Sequence, residues 1–240
     1  MKITNLMKKK QDNISGERTP LIAFLGDSVT NGCFELYVKD DGSIGTSFHQ
    51  QDAYHKKFAE ILSELYPKCP INVINAGISG DTAKGGAERL ERDVLRFHPD
   101  LTVVCYGLND STLGIDGIDT YYESLKNIFT RLTSCGSEVI FMTPNMMNTK
   151  LSCNLEADVF RSTAEKTMEI QNSGLFDEYI AKAKLAAEEC DVRICDVYSK
   201  WKVLYENGVD ITELLSNQIN HPSKKMHMLF AYSLAEEIMK

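Results

Sequence analysis

Basic residues are in deficit: 26 Lys and Arg stand against 34 Asp and Glu, for a formal charge of −8. Nucleic acids and anionic bilayers both call for a cationic face, so the balance argues against either as a partner. Cysteine patterning is missing too. The seven cysteines contain no Cys-x-x-Cys pair, which removes zinc-ribbon and thioredoxin-type readings. Cys105 and Cys195 sit inside apolar runs, where a free thiol packs as a small hydrophobe. Such a set fits a reducing compartment. No stretch reaches the roughly eighteen apolar residues of a membrane span. No apolar stretch follows the basic start, residues 1–13, closely enough to form a signal peptide. Internal repeats and low-complexity tracts are absent. The expectation is a soluble, cytoplasmic protein.

What is present is alternation. The chain has 240 residues, 43% hydrophobic and 25% charged, a globular balance. Its length suggests one domain, read as 21–240 after an N-terminal extension, 1–20. Apolar runs of strand length lie at 21–25, 71–75, 101–106, 139–142 and 192–197. They are continuous, as strands buried on both faces should be. Helical spacing fills the gaps. Tyr54, Phe58, Ile61, Leu62 and Leu65 form one set, Ala87, Leu90, Val94 and Phe97 a second, and Tyr122, Leu125, Ile128 and Leu132 a third. Asn172-Ser173-Gly174 divides the long helical stretch 158–190 in two, and a last helix spans 226–238. Strand alternating with helix predicts an α/β fold, a flavodoxin-like three-layer α/β/α domain on a five-stranded parallel sheet. In such sheets, sites form beyond the carboxyl ends of the strands.

Three blocks sit at such ends and a fourth at the mouth of the last helix. The first strand runs into Gly26-Asp27-Ser28-Val29-Thr30, the second into Asn75-Ala76-Gly77-Ile78-Ser79-Gly80-Asp81-Thr82, and the third into Tyr106-Gly107-Leu108-Asn109-Asp110. The fourth, Asn217-Gln218-Ile219-Asn220-His221-Pro222, precedes the last helix. A serine at a strand-to-helix turn exposes its hydroxyl. Glycines let the backbone approach a ligand, and an Asn side chain can donate to an oxyanion. Taken singly, each block is an ordinary cap or turn. Of the five histidines, His221 lies in a loop at a helix mouth, whereas His49, His55, His98 and His227 read as surface or packing residues.

The order of the four blocks resembles the SGNH, or GDSL, family of esterases and lipases, over essentially the whole chain from Leu21 to Ile238. The resemblance implies a serine ester hydrolase acting through an acyl-serine intermediate, without metal or cofactor. Ser28 becomes the nucleophile and His221 the general base. The Ser28 and Gly80 amides and the Asn109 side chain become the oxyanion hole. Asp27 and Asp110 become loop-holding neighbours. One position departs: the family usually has Asp three residues before the histidine, and here Gln218 stands there. Three arrangements stay open. Gln218 could orient the imidazole through its carbonyl oxygen, a backbone carbonyl near it could do so, or the side chain could face solvent. A Ser28–His221 dyad is the working model, with Asp210 as a more distant source of a carboxylate.

Segments 32–52 and 143–158 should rim the site. The one apolar pair there, Met146-Met147, makes no long greasy stripe, so a small-molecule ester with a short acyl group, acetyl on a sugar, is expected. Lysophospholipase or thioesterase chemistry is the nearer alternative and a non-catalytic carbohydrate-binding relative the other. A flavin-binding domain of the same architecture fits less well, since the third strand ends in a Gly-x-Asn-Asp block and not an aromatic flavin sandwich, and no Gly-Lys-Ser/Thr is present for a P-loop. The blocks say nothing of oligomeric state.

Overall fold

Apolar segments that bury both faces need partners on both edges, and here they find them in one parallel sheet. The computed structural model describes residues 1–155 and 157–240. The sheet comprises β1 (Leu21–Gly26), β4 (Asn72–Gly77), β5 (Leu101–Cys105), β6 (Glu138–Met142) and β7 (Arg193–Cys195), in the order β4-β1-β5-β6-β7. Counted within the sheet, that is 2-1-3-4-5, the flavodoxin-like order, and its switch point lies between β1 and β5. β5 is buried along its whole length and β1 at all but its first residue, whereas the edge strand β4 is only half-buried until its last two residues.

Helices α3 (Tyr54–Leu65) and α9 (His227–Met239) pack together, and so do α4 (Ala83–Asp93), α5 (Ile118–Ser134) and α7 (Leu175–Glu189) in turn. These two groups supply the outer layers. The long helical stretch breaks where expected, into α6 (Asp158–Asn172) and α7. The remaining helices are α1 (Lys2–Asp12), α2 (Ser28–Asn31) and α8 (Val197–Glu206). No described helix is long and apolar enough to cross a membrane.

Two features depart from the sequence expectation. Within residues 1–20, read as an extension, α1 inserts Ile3 and Met7 into the main core with no exposed surface. The Glu138 carboxylate at the start of β6 accepts from the Lys2 and Ile3 N–H groups at 2.8 and 2.7 Å. A carboxylate on the free N–H groups of a helix start is favourable. Segment 32–52, read as a loop, holds an antiparallel hairpin of β2 (Cys33–Val38) and β3 (Ile44–Phe48). Its Asp41-Gly42 turn fits a hairpin, and Phe34 is fully buried.

Candidate active site

Ser28 opens α2 directly after β1. Its neighbour Asp27 caps that turn, accepting from the Val29 N–H at 2.9 Å. The short turn aims the serine side chain away from the sheet and toward the loop before α9. There the Ser28 Oγ lies 2.9 Å from His221 Nε2, and both side chains are nearly buried. The sequence separation is 193 residues, so only the fold makes this pair.

The His221 loop is rigid by construction. Asn217 Oδ1 accepts from the N–H groups of Ile219, Asn220 and His221 at 3.0, 2.9 and 2.9 Å. Leu215 and Pro222 form an antiparallel bridge at its base. Asn145 Nδ2 donates to the Asn220 carbonyl at 2.9 Å from the end of β6. Loop positions locked this way hold a ring with little entropic cost on reaction.

Nδ1 of His221 lies 3.2 Å from the Phe34 carbonyl oxygen. A carbonyl only accepts, so Nδ1 carries the proton and Nε2 presents its lone pair to the serine hydroxyl. Ser216 Oγ donates to the same oxygen at 2.9 Å, which fixes it further. The partner of Nδ1 is thus the Phe34 main chain and not Gln218. Gln218 has a left-handed backbone, φ +55°, and lines a groove of about 470 Å³ with Leu36, Asn154 and Phe160. Its side chain makes no hydrogen bond among the described residues. Asp210 is engaged elsewhere, in an ion pair with Lys150. The groove draws on both expected rim segments, 32–52 and 143–158; Glu156, within the second, lies outside the described residues. Met146 and Met147 are buried in the core.

Burial pushes the His221 imidazole down to about 4, opposed only by the bond to Phe34 O. Asp27 is raised to about 7, chiefly by burial; the Val29 bond opposes this and the charges of Asp110 and Asp81 add to it. Asp110, also raised to about 7 by burial, accepts from the Ala83 N–H at 2.9 Å. It thereby ties the start of α4 to the end of β5.

The other two blocks flank the switch point. Gly80 has φ +80°, and a Cβ there would meet nothing within 4 Å. The position demands glycine for its backbone angle, not for space. Its N–H donates to no acceptor among the described residues. Asn109 Nδ2 donates to the Asp81 carbonyl at 2.8 Å. This ties the third block to the second and leaves the other hydrogen of the amide available. Of the remaining histidines, His55 and His227 pack among Phe24, Phe34, Tyr54 and Phe230, His49 faces Glu35 at 3.4 Å, and His98 is exposed on a turn.

The Phe34 carbonyl could not be named from composition, because a main-chain acceptor leaves no residue signature. The detectable sign is the Asp41-Gly42 turn between two short stretches, 33–38 and 44–48, that carry aromatic and β-branched residues.

Residues 24–229 match the model of the GDSL-like lipase/acylhydrolase family. An acetylxylan esterase of Geobacillus stearothermophilus is 27% identical over 237 residues, which cover 93% of this chain and 94% of that protein. A substituted form of an acetyl-xylooligosaccharide esterase from Geobacillus superposes with a TM-score of 0.66 at 25% identity, covering 91% of this chain and 94% of the other. An α/β hydrolase from the metagenome of Lake Arreo, Spain, gives 0.67 at 21% identity with the same coverage, a likeness of fold. With the family match spanning all four blocks on the expected sheet, this chain belongs to the GDSL-like lipase/acylhydrolase family and is an ester hydrolase of the SGNH type.

Proposed function

We propose that Ser28 is the nucleophile and His221 the general base of an esterase that removes acetyl groups from carbohydrate. The carrying observation is the 2.9 Å approach of Ser28 Oγ to His221 Nε2, with Nδ1 held by a carbonyl that fixes the tautomer. His221 takes the hydroxyl proton as Oγ adds to the ester carbonyl. The amides of Ser28 and Gly80 and the Asn109 side chain stabilise the oxyanion. Collapse expels the sugar alkoxide, which takes the proton back from His221. Water repeats the sequence on the acyl-serine and releases acetate. The acetyl preference is supported by the Geobacillus acetylxylan esterase, matched in sequence and in structure, and by the burial of Met146 and Met147 in the core. The seven free cysteines support a cytoplasmic location.

The test is a chain-length series. For p-nitrophenyl esters, kcat/KM for the acetate should exceed that for the octanoate by about tenfold or more, and acetylated xylo-oligosaccharides should release acetate. An octanoate preference overturns the acetyl reading.

Two further results are expected. Gln218→Ala should change kcat by less than about threefold, because no hydrogen bond to the imidazole is lost. A loss of about a hundredfold would make Gln218 the orienting group after all. The second concerns pH. His221 must be neutral to accept the proton, and its pKa is pushed down to about 4. As pH falls, kcat/KM should therefore hold through the range where an ordinary imidazole, near about 6.5, becomes charged. It should decline only toward about pH 4. An acidic limb near 6.5 in the kcat/KM profile contradicts this burial.

A further inference from the structure

Beneath the second block lies a buried guanidinium that the mechanism above does not use. Arg89, on α4, is 8% exposed. Its Nε donates to Asp81 Oδ2 at 2.7 Å. Its Nη1 donates to the Ala76 carbonyl at 2.7 Å and to Asp93 at 3.1 Å. Its Nη2 donates to the Gly26 carbonyl at 3.0 Å and to the Tyr106 hydroxyl at 2.7 Å. Tyr106 in turn donates to Asp81 Oδ2 at 3.1 Å. Apart from Asp93, the acceptors come from the carboxyl ends of β1, β4 and β5 or the loops that follow them. Gly26 stands two residues before Ser28, Asp81 one after Gly80, and Tyr106 three before Asn109. The Asp81 carbonyl also receives the Asn109 amide. One planar group therefore spans all three segments that carry the oxyanion donors.

The helix is shaped to receive this cluster. A Cβ at Gly85 would lie 2.0 Å from Asp81 Oδ1, and one at Gly86 would lie 2.4 Å from the Tyr106 hydroxyl. Consecutive glycines inside a helix are unfavourable in themselves. Here their missing side chains make room for the carboxylate and phenol that Arg89 holds.

We infer that Arg89 is a positioning residue for the oxyanion hole: through Gly26, Asp81 and Tyr106 it sets the spacing of the Ser28, Gly80 and Asn109 donors without touching substrate. This role rests on the oxyanion-hole reading above. Donors stabilise a developing charge only if fixed before the reaction, and misplacement by about 1 Å can cost about a hundredfold. Lysine keeps the charge but lacks the fork that reaches several acceptors at once.

The experiment uses Arg89→Lys and the milder Tyr106→Phe, each alone and combined with Asn109→Ala, on protein shown to be folded by circular dichroism. Arg89→Lys should lower kcat by about tenfold to a hundredfold with KM nearly unchanged. Tyr106→Phe should lower it by about threefold or more. In the Asn109→Ala background both losses should shrink clearly below their values in the native background, since one of the three positioned donors is gone. Arg92→Ala, at an exposed arginine whose only hydrogen-bond partner among the described residues is Asp93, should leave kcat as it is. If Arg89→Lys does not fold, Tyr106→Phe decides. The inference is overturned if folded variants keep their kcat, or if their losses multiply with that of Asn109→Ala, as a purely structural role requires. If Asn109→Ala alone leaves kcat unchanged, the oxyanion-hole reading falls and this role falls with it. If Asn109→Ala is damaging and the Arg89 and Tyr106 variants are not, only this role fails.

Discussion

His221→Ala should lower kcat for p-nitrophenyl acetate by about 10⁴- to 10⁶-fold, the scale on which a nucleophile–base pair fails when one member is removed. A serine hydroxyl is nearly inert at neutral pH until a base takes its proton. The imidazole is the only basic group within hydrogen-bonding distance of Ser28 Oγ among the described residues. Ser28→Ala should be as damaging, and the double variant no worse than either single, because the two act as one unit. Stability is a separate matter. His221 is buried, but its neighbours Asn217, Asn145 and the Leu215–Pro222 bridge hold the loop through main-chain bonds that alanine keeps. The variant should stay folded, and circular dichroism together with kcat checks both statements. A loss smaller than about a hundredfold would mean that another group takes the proton.

Asn109→Ala should cost about 10²- to 10³-fold in kcat with little change in KM, since the donor it removes matters most once the carbonyl oxygen becomes an anion. The amide also bonds the Asp81 carbonyl at 2.8 Å, so alanine loosens the second block as well as removing a donor. Asn109→Asp separates the two effects. It keeps the shape but offers acceptors where donors are needed, and it should be at least as damaging as alanine. If Asn109→Ala raised KM and left kcat intact, the side chain would bind substrate in its ground state.

The sheet was legible because its strands bury both faces. A continuous apolar run as short as 101–106, bounded by polar and turn residues, fits a strand in the middle of a parallel sheet. The break at Asn172-Ser173-Gly174 is local chemistry that sequence displays directly. Ser28, Asn109 and His221 stood out through their order along the chain, each beside a strand end or helix mouth. What escaped has no side-chain signature or depends on distant pairing. The third partner of the Ser28–His221 pair is the carbonyl of Phe34, 187 residues from the histidine it orients. That contact exists only because segment 32–52 folds back as a hairpin. Arg89 was hidden for a related reason. On α4 it falls between the apolar positions that mark the helix, and nothing local says that its guanidinium reaches three strand ends. The α1 helix was hidden by its lysines, although Ile3 and Met7 stand at the four-residue spacing of a buried stripe.

The most direct test of the account is reaction with a fluorophosphonate followed by peptide mass spectrometry, because phosphonylation requires an activated serine. A single adduct is expected, on Ser28, in the native protein, with loss of that labelling in His221→Ala. An adduct on another serine, or labelling of Ser28 in His221→Ala at the native rate, would contradict it.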